Sequence, residues 1–346
     1  MFEDFYKNKR IFITGHTGFK GSWLTLWLIN LGAEVIGYSL EPPTKPSLFE
    51  VLNIKENIVN IIGDIRDERK LKKVFKEYKP EIVFHLAAQS LVGFSYKEPK
   101  ITYETNVIGT LNLLEAVRET QSVKVVIVVT SDKCYENKEW FYGYREIDPL
   151  GGYDPYSSSK ACVEILVSSY RRSFRLPLAT CRAGNVIGGG DWQIDRLIPD
   201  CVKALSKGES IKIRNPKAIR PWQHVFEPLS GYLLLAMRMW EEPIEYSEAW
   251  NFGPFEKDLA TVREVVEKVI DLWGEGKYEV IEDKYYHEAG ILRLDISKTM
   301  LKLGWKPKWN LDTALKKTID WYECFYKQRE NIKKLSLKQL EEYMKD

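Results

Sequence analysis

Between residues 10 and 31 the chain runs from "RIFIT" through "GHTGFKG" into "SWLTLWLINL", and few folds accommodate that order. Residues 10–14 read as a β-strand. Residues 21–31 read as a helix that is apolar on most of its faces, and therefore buried. Gly15, Gly18 and Gly21 stand between them in the spacing G-x-x-G-x-x-G. Each glycine has a separate physical use: a tight turn, the approach of backbone to a pyrophosphate, and close helix–sheet packing. The helix N-terminus adds unpaired N–H groups and a partial positive charge. The turn therefore predicts a dinucleotide site, with Thr17 and Phe19 beside the glycines facing the cofactor.

The alternation continues. Strands are expected at residues 33–38, 58–62, 81–88, 124–131 and 177–181, and helices at 67–78, 102–120 and 156–174. The helix at 67–78 carries Leu71, Val74, Phe75 and Tyr78 at i, i+3, i+4 and i+7. This order calls for an α/β fold with a doubly wound parallel Rossmann sheet. After Ala183 the texture changes, with "GNVIGGGDW", "IRNPKAIRPW" and "NFGPFEKD" breaking the chain into shorter elements. The expectation is an NAD-binding domain over 1–183 and a smaller C-terminal α/β substrate domain over 184–346, with returns of the chain to the first around 223–255. The final stretch, "QRENIKKLSLKQLEEYMKD", reads as a helix of marginal stability.

Charge narrows the partners. The formal charge of +2 leaves no strong basic field for nucleic acid. The five cysteines are scattered, odd in number and without a C-x-x-C pair, which fits free thiols and neither a disulfide framework nor a metal site. The N-terminus has no apolar leader, and the uncharged stretches are too short to span a bilayer. A cytoplasmic protein with no membrane partner is expected.

At the end of the second strand, "GYSL" lacks the acid that normally bonds the adenosine ribose. Ser39 or Glu41 is left for that contact, and no arginine there favours a 2′-phosphate, so the expected cofactor is NAD. Asp64 and Ile65 should lie along the adenine edge. Leu86, Ala87 and Ala88 should lie beside the cofactor, or else simply pack closely.

Two further segments carry chemistry. "TSDKCY" follows the apolar run "VVIVV" and puts Ser131, Asp132 and Lys133 at a strand end, where ligands bind in parallel sheets. "YDPYSSSKA" holds Tyr156 and Lys160 at i, i+4, on one face of a helix. A phenol titrates near ~10 in water, and an ammonium close by should lower that value and make it a base. Alone, such a pair also suits a solvated helix face; together with the glycine turn it points to catalysis.

The glycine turn, Ser131 with Tyr156 and Lys160, and Asn106 in "TNVIGT" together resemble the extended short-chain dehydrogenase/reductase family. More narrowly, "GHTGFKGSWL", "EPPTKPSLFE", "TSDKCYEN", "CRAGNVIGGGDW" and "IRPWQHVFEPLSGYL" resemble the nucleotide-sugar 4,6-dehydratases that act on CDP-glucose. The resemblance implies a bound NAD, with Asn106 among the residues around it. Tyr156 would take the proton of the 4-hydroxyl as hydride leaves carbon 4. Lys160 would hold the nicotinamide ribose, and Ser131 would bond the 4-oxygen. Elimination of water across carbons 5 and 6 would fall to Asp132 and Lys133. Relatives acting on dTDP-glucose have Asp then Glu there, so the lysine is a departure. Asp132 can act as acid only when protonated and Lys133 as base only when neutral; an ion pair between them would leave both in the wrong state.

The same resemblance directs the substrate half to Ser90, Asn185, Arg196, Arg220, Trp222, His224 and His287. Arg220 is the expected diphosphate partner. For the two histidines a core or capping role is equally open. The helices at 102–120 and 156–174 would pair with a second subunit, giving a homodimer or larger homo-oligomer. A nucleotide-sugar 4-epimerase, or a dinucleotide-binding protein without catalysis, would share much of this pattern.

Overall fold

Seven strands form one parallel sheet: β1 (Arg10–Thr14), β2 (Glu34–Ser39), β3 (Val59–Ile62), β4 (Ile82–His85), β5 (Val125–Val129), β6 (Leu178–Ala183) and β7 (Ala249–Phe252). They are seen in a computed structural model that describes residue 2 and residues 4–281, 289–328 and 331–345. The order across the sheet is β7-β6-β5-β4-β1-β2-β3. Helices cover both faces: α1 (Phe19–Asn30), α2 (Glu68–Tyr78), α3 (Gly109–Arg118), α4 (Pro155–Phe174), α5 (Leu197–Leu205), α6 (Phe226–Glu241), α7 (Val262–Trp273), α8 (Leu311–Lys327) and α9 (Ile332–Lys345). Every residue of β5 is buried, which is why its sequence is an unbroken β-branched run.

The chain steps outward from β1 to β2 and β3, then crosses back to place β4 on the other side of β1. The order reverses there, so the carboxyl ends of β1 and β4 flank the crevice where such sheets bind ligands. β4 ends at His85, short of the expected 88. The Leu86 N–H is shared between the Thr14 carbonyl and Oγ1, and the Ala87 N–H turns to Oγ1, at 3.1 Å each. The helix expected at 102–120 is a helical run with a wide turn inside it: Pro99–Tyr103, a π-turn at Glu104–Ile108, then α3.

After Ala183 the chain leaves the sheet and comes back as β7, paired with β6 from Ala249↔Thr180 to Phe252↔Ala183. One hydrophobic cluster joins Ile11 and Ile13 of β1 to Trp250, Trp309, Trp321 and Tyr343, so the core runs unbroken from the first strand to the last helix. A second cluster fills the opposite face, where Phe12, Val126 and Val128 meet Phe75, Leu113 and Val163. The last helix corrects the expectation of marginal stability. Leu340 and Tyr343 are fully buried, and the Tyr343 hydroxyl donates to Glu227 at 2.7 Å. Among the described residues no helix is long and apolar enough to cross a membrane.

Candidate active site

The glycine turn is built as its spacing requires. Gly15 has φ +76°, and a Cβ there would lie 2.8 Å from the Ala87 nitrogen; a Cβ on Gly21 would lie 2.1 Å from the Gly15 oxygen. Gly18 is the N-cap of α1, and no side chain caps it. A Cβ at Gly18 would meet only the Gly15 oxygen, at 3.4 Å, so the helix N-terminus opens onto free space. An anionic diphosphate fits that cradle, because uncapped N–H groups and the helix dipole both favour it. Phe19 begins the helix beside it.

Around the turn, hydroxyls are already interlocked. Thr17 donates to the Leu40 carbonyl at 2.9 Å, which leaves Ser39 as donor to Thr17 at 2.8 Å. Ser39 can therefore only accept from a ribose hydroxyl. Asp64 is clamped by Arg66, whose Nη2 lies 2.6 Å from Oδ2, and that guanidinium holds the carboxyl below its usual range. Ile65 is buried against Gly109. Between β1 and β4, Thr110 donates to the Asn106 carbonyl (2.6 Å) and so accepts from His85 Nε2 (2.9 Å). His85 Nδ1 then accepts from Thr14 (2.7 Å), which fixes a neutral ring. Burial agrees, pushing this histidine down to about 3. The chain from Thr110 to Thr14 aligns Leu86 and Ala87 under the cofactor cradle; Ala88 follows in the same loop.

The reacting residues converge at the end of β5. Ser131 caps a short 3-10 turn, Asp132–Cys134, accepting from the Lys133 N–H at 3.2 Å. Its hydroxyl donates to Asp132 Oδ1 at 3.0 Å. Asp132 Oδ2 is buried with no partner. Burial raises this carboxyl, against the opposing pull of Lys133, Ser131 and Arg220. Asp132 and Lys133 form no ion pair; the charge and the backbone N–H of Lys133 both pull the carboxyl down. The arrangement thus avoids the one pairing that would disable both.

Tyr156 and Lys160 enter from the first turns of α4. Asp154 caps that helix through the Ser157 N–H (3.0 Å) and hydroxyl (2.6 Å), and Pro155 holds the first position, so the run D-P-Y-S sets Tyr156 at the cleft. Ser131 lies close enough to Tyr156 to act on its phenol, and Lys160 Nζ reaches the Val129 carbonyl at 3.3 Å. The expected lowering of the phenol by the ammonium is not the balance found. Burial pushes Tyr156 up to about 12, only partly offset by Ser131, and burial pushes Lys160 down to about 8. The two share a helix face, but Lys160 Nζ sits 6.0 Å from the ring centroid.

Of the expected cofactor residues, Asn106 needs correction. Its amide is consumed within the protein: Oδ1 accepts from the Gln89 N–H (2.8 Å), and Nδ2 donates to the Gln89 carbonyl (3.0 Å) and to Ser159 (2.8 Å). It ties α4 to the loop after β4, and the π-turn is what swings it there.

The substrate-side residues divide. Arg196 donates to Asp191 (2.8 Å) and to Ser90 (3.1 Å), so two of the expected residues meet at one edge of the cleft. Asn185 is half-buried, and its carbonyl accepts from the Gln223 N–H. Arg220 is buried and donates to the Ile219 carbonyl at 3.0 Å, near enough to Asp132 to act on its charge. Trp222 and His224 do not face the cleft. The Trp222 indole is buried and donates to the Ala260 carbonyl (3.2 Å). His224 is fully buried against Phe226 and Trp309, accepts from the Phe226 N–H, and is pushed down to about 3 by burial. In "IRPWQH" Trp222 stands just before the two-residue strand Gln223–His224, and both it and His224 are buried. His287 lies outside the described residues.

Lys20 went unread because its neighbours carried the glycine pattern. It sits in the first turn of α1, 5.8 Å over the Tyr232 ring, and is pushed down to about 8 by burial, with Arg196 and Lys160 adding to that. The signal was a charged residue in an otherwise apolar helix.

Residues 12–318 match the family described as GDP-mannose 4,6 dehydratase. The chain belongs to that family. A CDP-glucose 4,6-dehydratase from Salmonella typhimurium is 49% identical over 99% of this chain and 98% of its own length. The NAD complex of a dTDP-glucose 4,6-dehydratase from Bacillus anthracis superposes with a TM-score of 0.78 at 25% identity, covering 91% of this chain and 96% of that one. A UDP-glucose 4-epimerase from Thermotoga maritima superposes with a TM-score of 0.80 at 26% identity, covering 93% and 100%. The family places this chain among NAD-dependent nucleotide-sugar 4,6-dehydratases, which are lyases, and the Gly15–Gly18 cradle fits that cofactor.

Proposed function

We propose that this dehydratase converts CDP-glucose to CDP-4-keto-6-deoxyglucose. The observation that carries the elimination is the buried Asp132 carboxyl, half satisfied by Ser131 and unpaired with Lys133, beside Tyr156 and Lys160. The relative named for CDP-glucose supports the nucleotide.

NAD, when bound, supplies the acceptor for the carbon 4 hydride and the donor that returns it to carbon 6. Tyr156 takes the 4-hydroxyl proton. Lys160 holds the positive charge that stabilises the phenolate form of Tyr156, which this step converts to the phenol. Ser131 bonds the 4-oxygen. Its one proton is given to Asp132 in this structure; a protonated Asp132 can donate to Ser131 instead, freeing the serine hydroxyl for the sugar. The 4-ketone acidifies the hydrogen on carbon 5. Lys133 takes that proton or steadies the enolate, and Asp132 protonates the departing 6-hydroxyl. Arg196 with Ser90, and Arg220, supply positive charge and donors for the diphosphate and sugar.

A 4-epimerase shares Tyr156, Lys160 and Ser131 in kind but needs no acid beside the serine; the raised Asp132 carboxyl favours the dehydratase. The deciding experiment incubates the protein with CDP-, dTDP-, UDP- and GDP-glucose without added reductant. The expected result is a 4-keto-6-deoxy product, formed fastest from CDP-glucose. An epimer, or equal rates with all four, would contradict the reading.

The reading extends to a homodimer through α4 and the helical run before α3. Ile101, Tyr103 and Ile108 on that run and Ile165 on α4 present large apolar side chains to water. Light scattering should report a dimer or larger assembly, and Ile165→Glu should weaken it; an unchanged monomer for both proteins would refute this part.

A further inference from the structure

Under the reacting residues lies a buried charge network with no part in the chemistry above. Glu164 stands one turn beyond Lys160 on α4. It accepts from Thr130 Oγ1 (2.5 Å), Thr180 Oγ1 (2.7 Å) and Arg182 Nη2 (2.8 Å). Arg182 in turn donates from Nη1 to the Tyr135 hydroxyl (2.9 Å) and the Glu146 carbonyl (3.1 Å), and Tyr135 donates to Asn251 (2.7 Å). The Arg182 and Glu164 side chains are 4% and 3% exposed. One ion pair therefore grips both ends of the segment from Thr130 to Tyr135, which contains Ser131, Asp132 and Lys133, and ties it to α4. A buried pair is rarely better for stability than packed apolar side chains, so stability alone does not account for it.

We propose that Glu164 is a positioning residue for the dehydratase reaction: its carboxylate clamps Thr130 ahead of Ser131 and sets a fixed negative charge beneath Lys160 that keeps the lysine an ammonium. Burial pushes Lys160 down to about 8, and among the charges opposing that fall Glu164 comes first, followed by Cys134 from the 3-10 turn. The other groups facing Lys160 do not supply this charge. His85 on β4 is held neutral, Tyr156 on the same helix is a phenol pushed up by burial, and Lys20 on α1 is itself cationic. Arg182 on β6 pairs with Glu164 and is not among the groups that shift Lys160.

The proposal rests on the reading of Lys160 as a participant in the hydride step, so the test includes a readout that needs no turnover. Full-length wild type, Glu164→Gln and Thr180→Val are compared in two ways: the pH profile of 4-keto product formation, and the pH dependence of Lys160 acetylation by acetic anhydride, read by mass spectrometry. Thr180→Val removes one bond to Glu164 but keeps its charge. In Glu164→Gln the basic limb and the acetylation midpoint should both move to lower pH by about one unit, and in Thr180→Val neither should move. A Glu164→Gln protein that melts earlier with both midpoints unchanged would reduce Glu164 to a structural role and overturn the proposal. If wild type makes no 4-keto product, the reaction reading fails, while the acetylation midpoint still decides for or against Glu164. Should Glu164→Gln not fold, Thr130→Val carries the test: a kcat about tenfold lower with KM unchanged is expected from loss of the clamp, and an unchanged kcat overturns it.

Discussion

Ser131 donates to Oδ1 of Asp132 at 3.0 Å, while Oδ2 of the same carboxyl is buried without a partner. An ionised carboxylate in that position leaves one oxygen unsatisfied, so burial raises the carboxyl and the acid form persists to higher pH than in an exposed aspartate. Asp132→Asn preserves the shape and removes the proton. Loss of water should slow at least about 100-fold while oxidation at carbon 4 persists, as read by rapid mixing with CDP-glucose. Because burial raises the Asp132 value, the acid form is present at low pH and is lost as pH climbs through that raised value. The elimination rate should therefore fall toward alkaline pH in wild type and lose that dependence in the variant.

Lys133 lies next in the chain and makes no ion pair with Asp132. Lys133→Met should leave hydride transfer intact and stop the elimination. The near-ultraviolet band of reduced nicotinamide should then build up in a single turnover and fail to decay. Unchanged turnover would refute a role for this lysine.

The fold and its chemistry were legible in the sequence to different depths. Strand β1 and the glycine turn were readable because each glycine answers a backbone constraint that no other residue meets. Ser131, Asp132, Lys133, Tyr156 and Lys160 were grouped by residue type at a strand end and on one helix face, and the structure sets them at the end of β5 and in the first turns of α4. Trp222 and His224 were placed in the cleft because a motif shows which residues keep company, whereas their burial depends on what the chain around the strand Gln223–His224 packs against. The π-turn at Asn106 was hidden for the same reason: periodicity shows a helix but not one wide turn within it. Glu164 was hidden because its partners, Thr130 just after β5 and Thr180 and Arg182 on β6, meet it only through the fold.

His224 tests that correction. His224→Gln should leave KM for CDP-glucose within about twofold and lower the melting temperature, since the ring is fully buried against Phe226 and Trp309. Both His85 and His224 are pushed down to about 3 by burial, from an ordinary value near ~6.5. The unfolded chain therefore binds protons that the fold refuses as pH drops below about 6.5. Stability should decline by about 1.4 kcal/mol per pH unit for each histidine between there and about 3, and His224→Gln should flatten that slope by one histidine's share. Denaturant melts across the acid range measure it; an equal slope in both proteins would return His224 to the surface.

Isotope tracing bears most directly on the account as a whole. CDP-glucose carrying deuterium at carbon 4 should yield product with the label on the new carbon 6 methyl group and none in the coenzyme after turnover. Label recovered in solvent or in released reduced coenzyme, with the methyl group unlabelled, would contradict it.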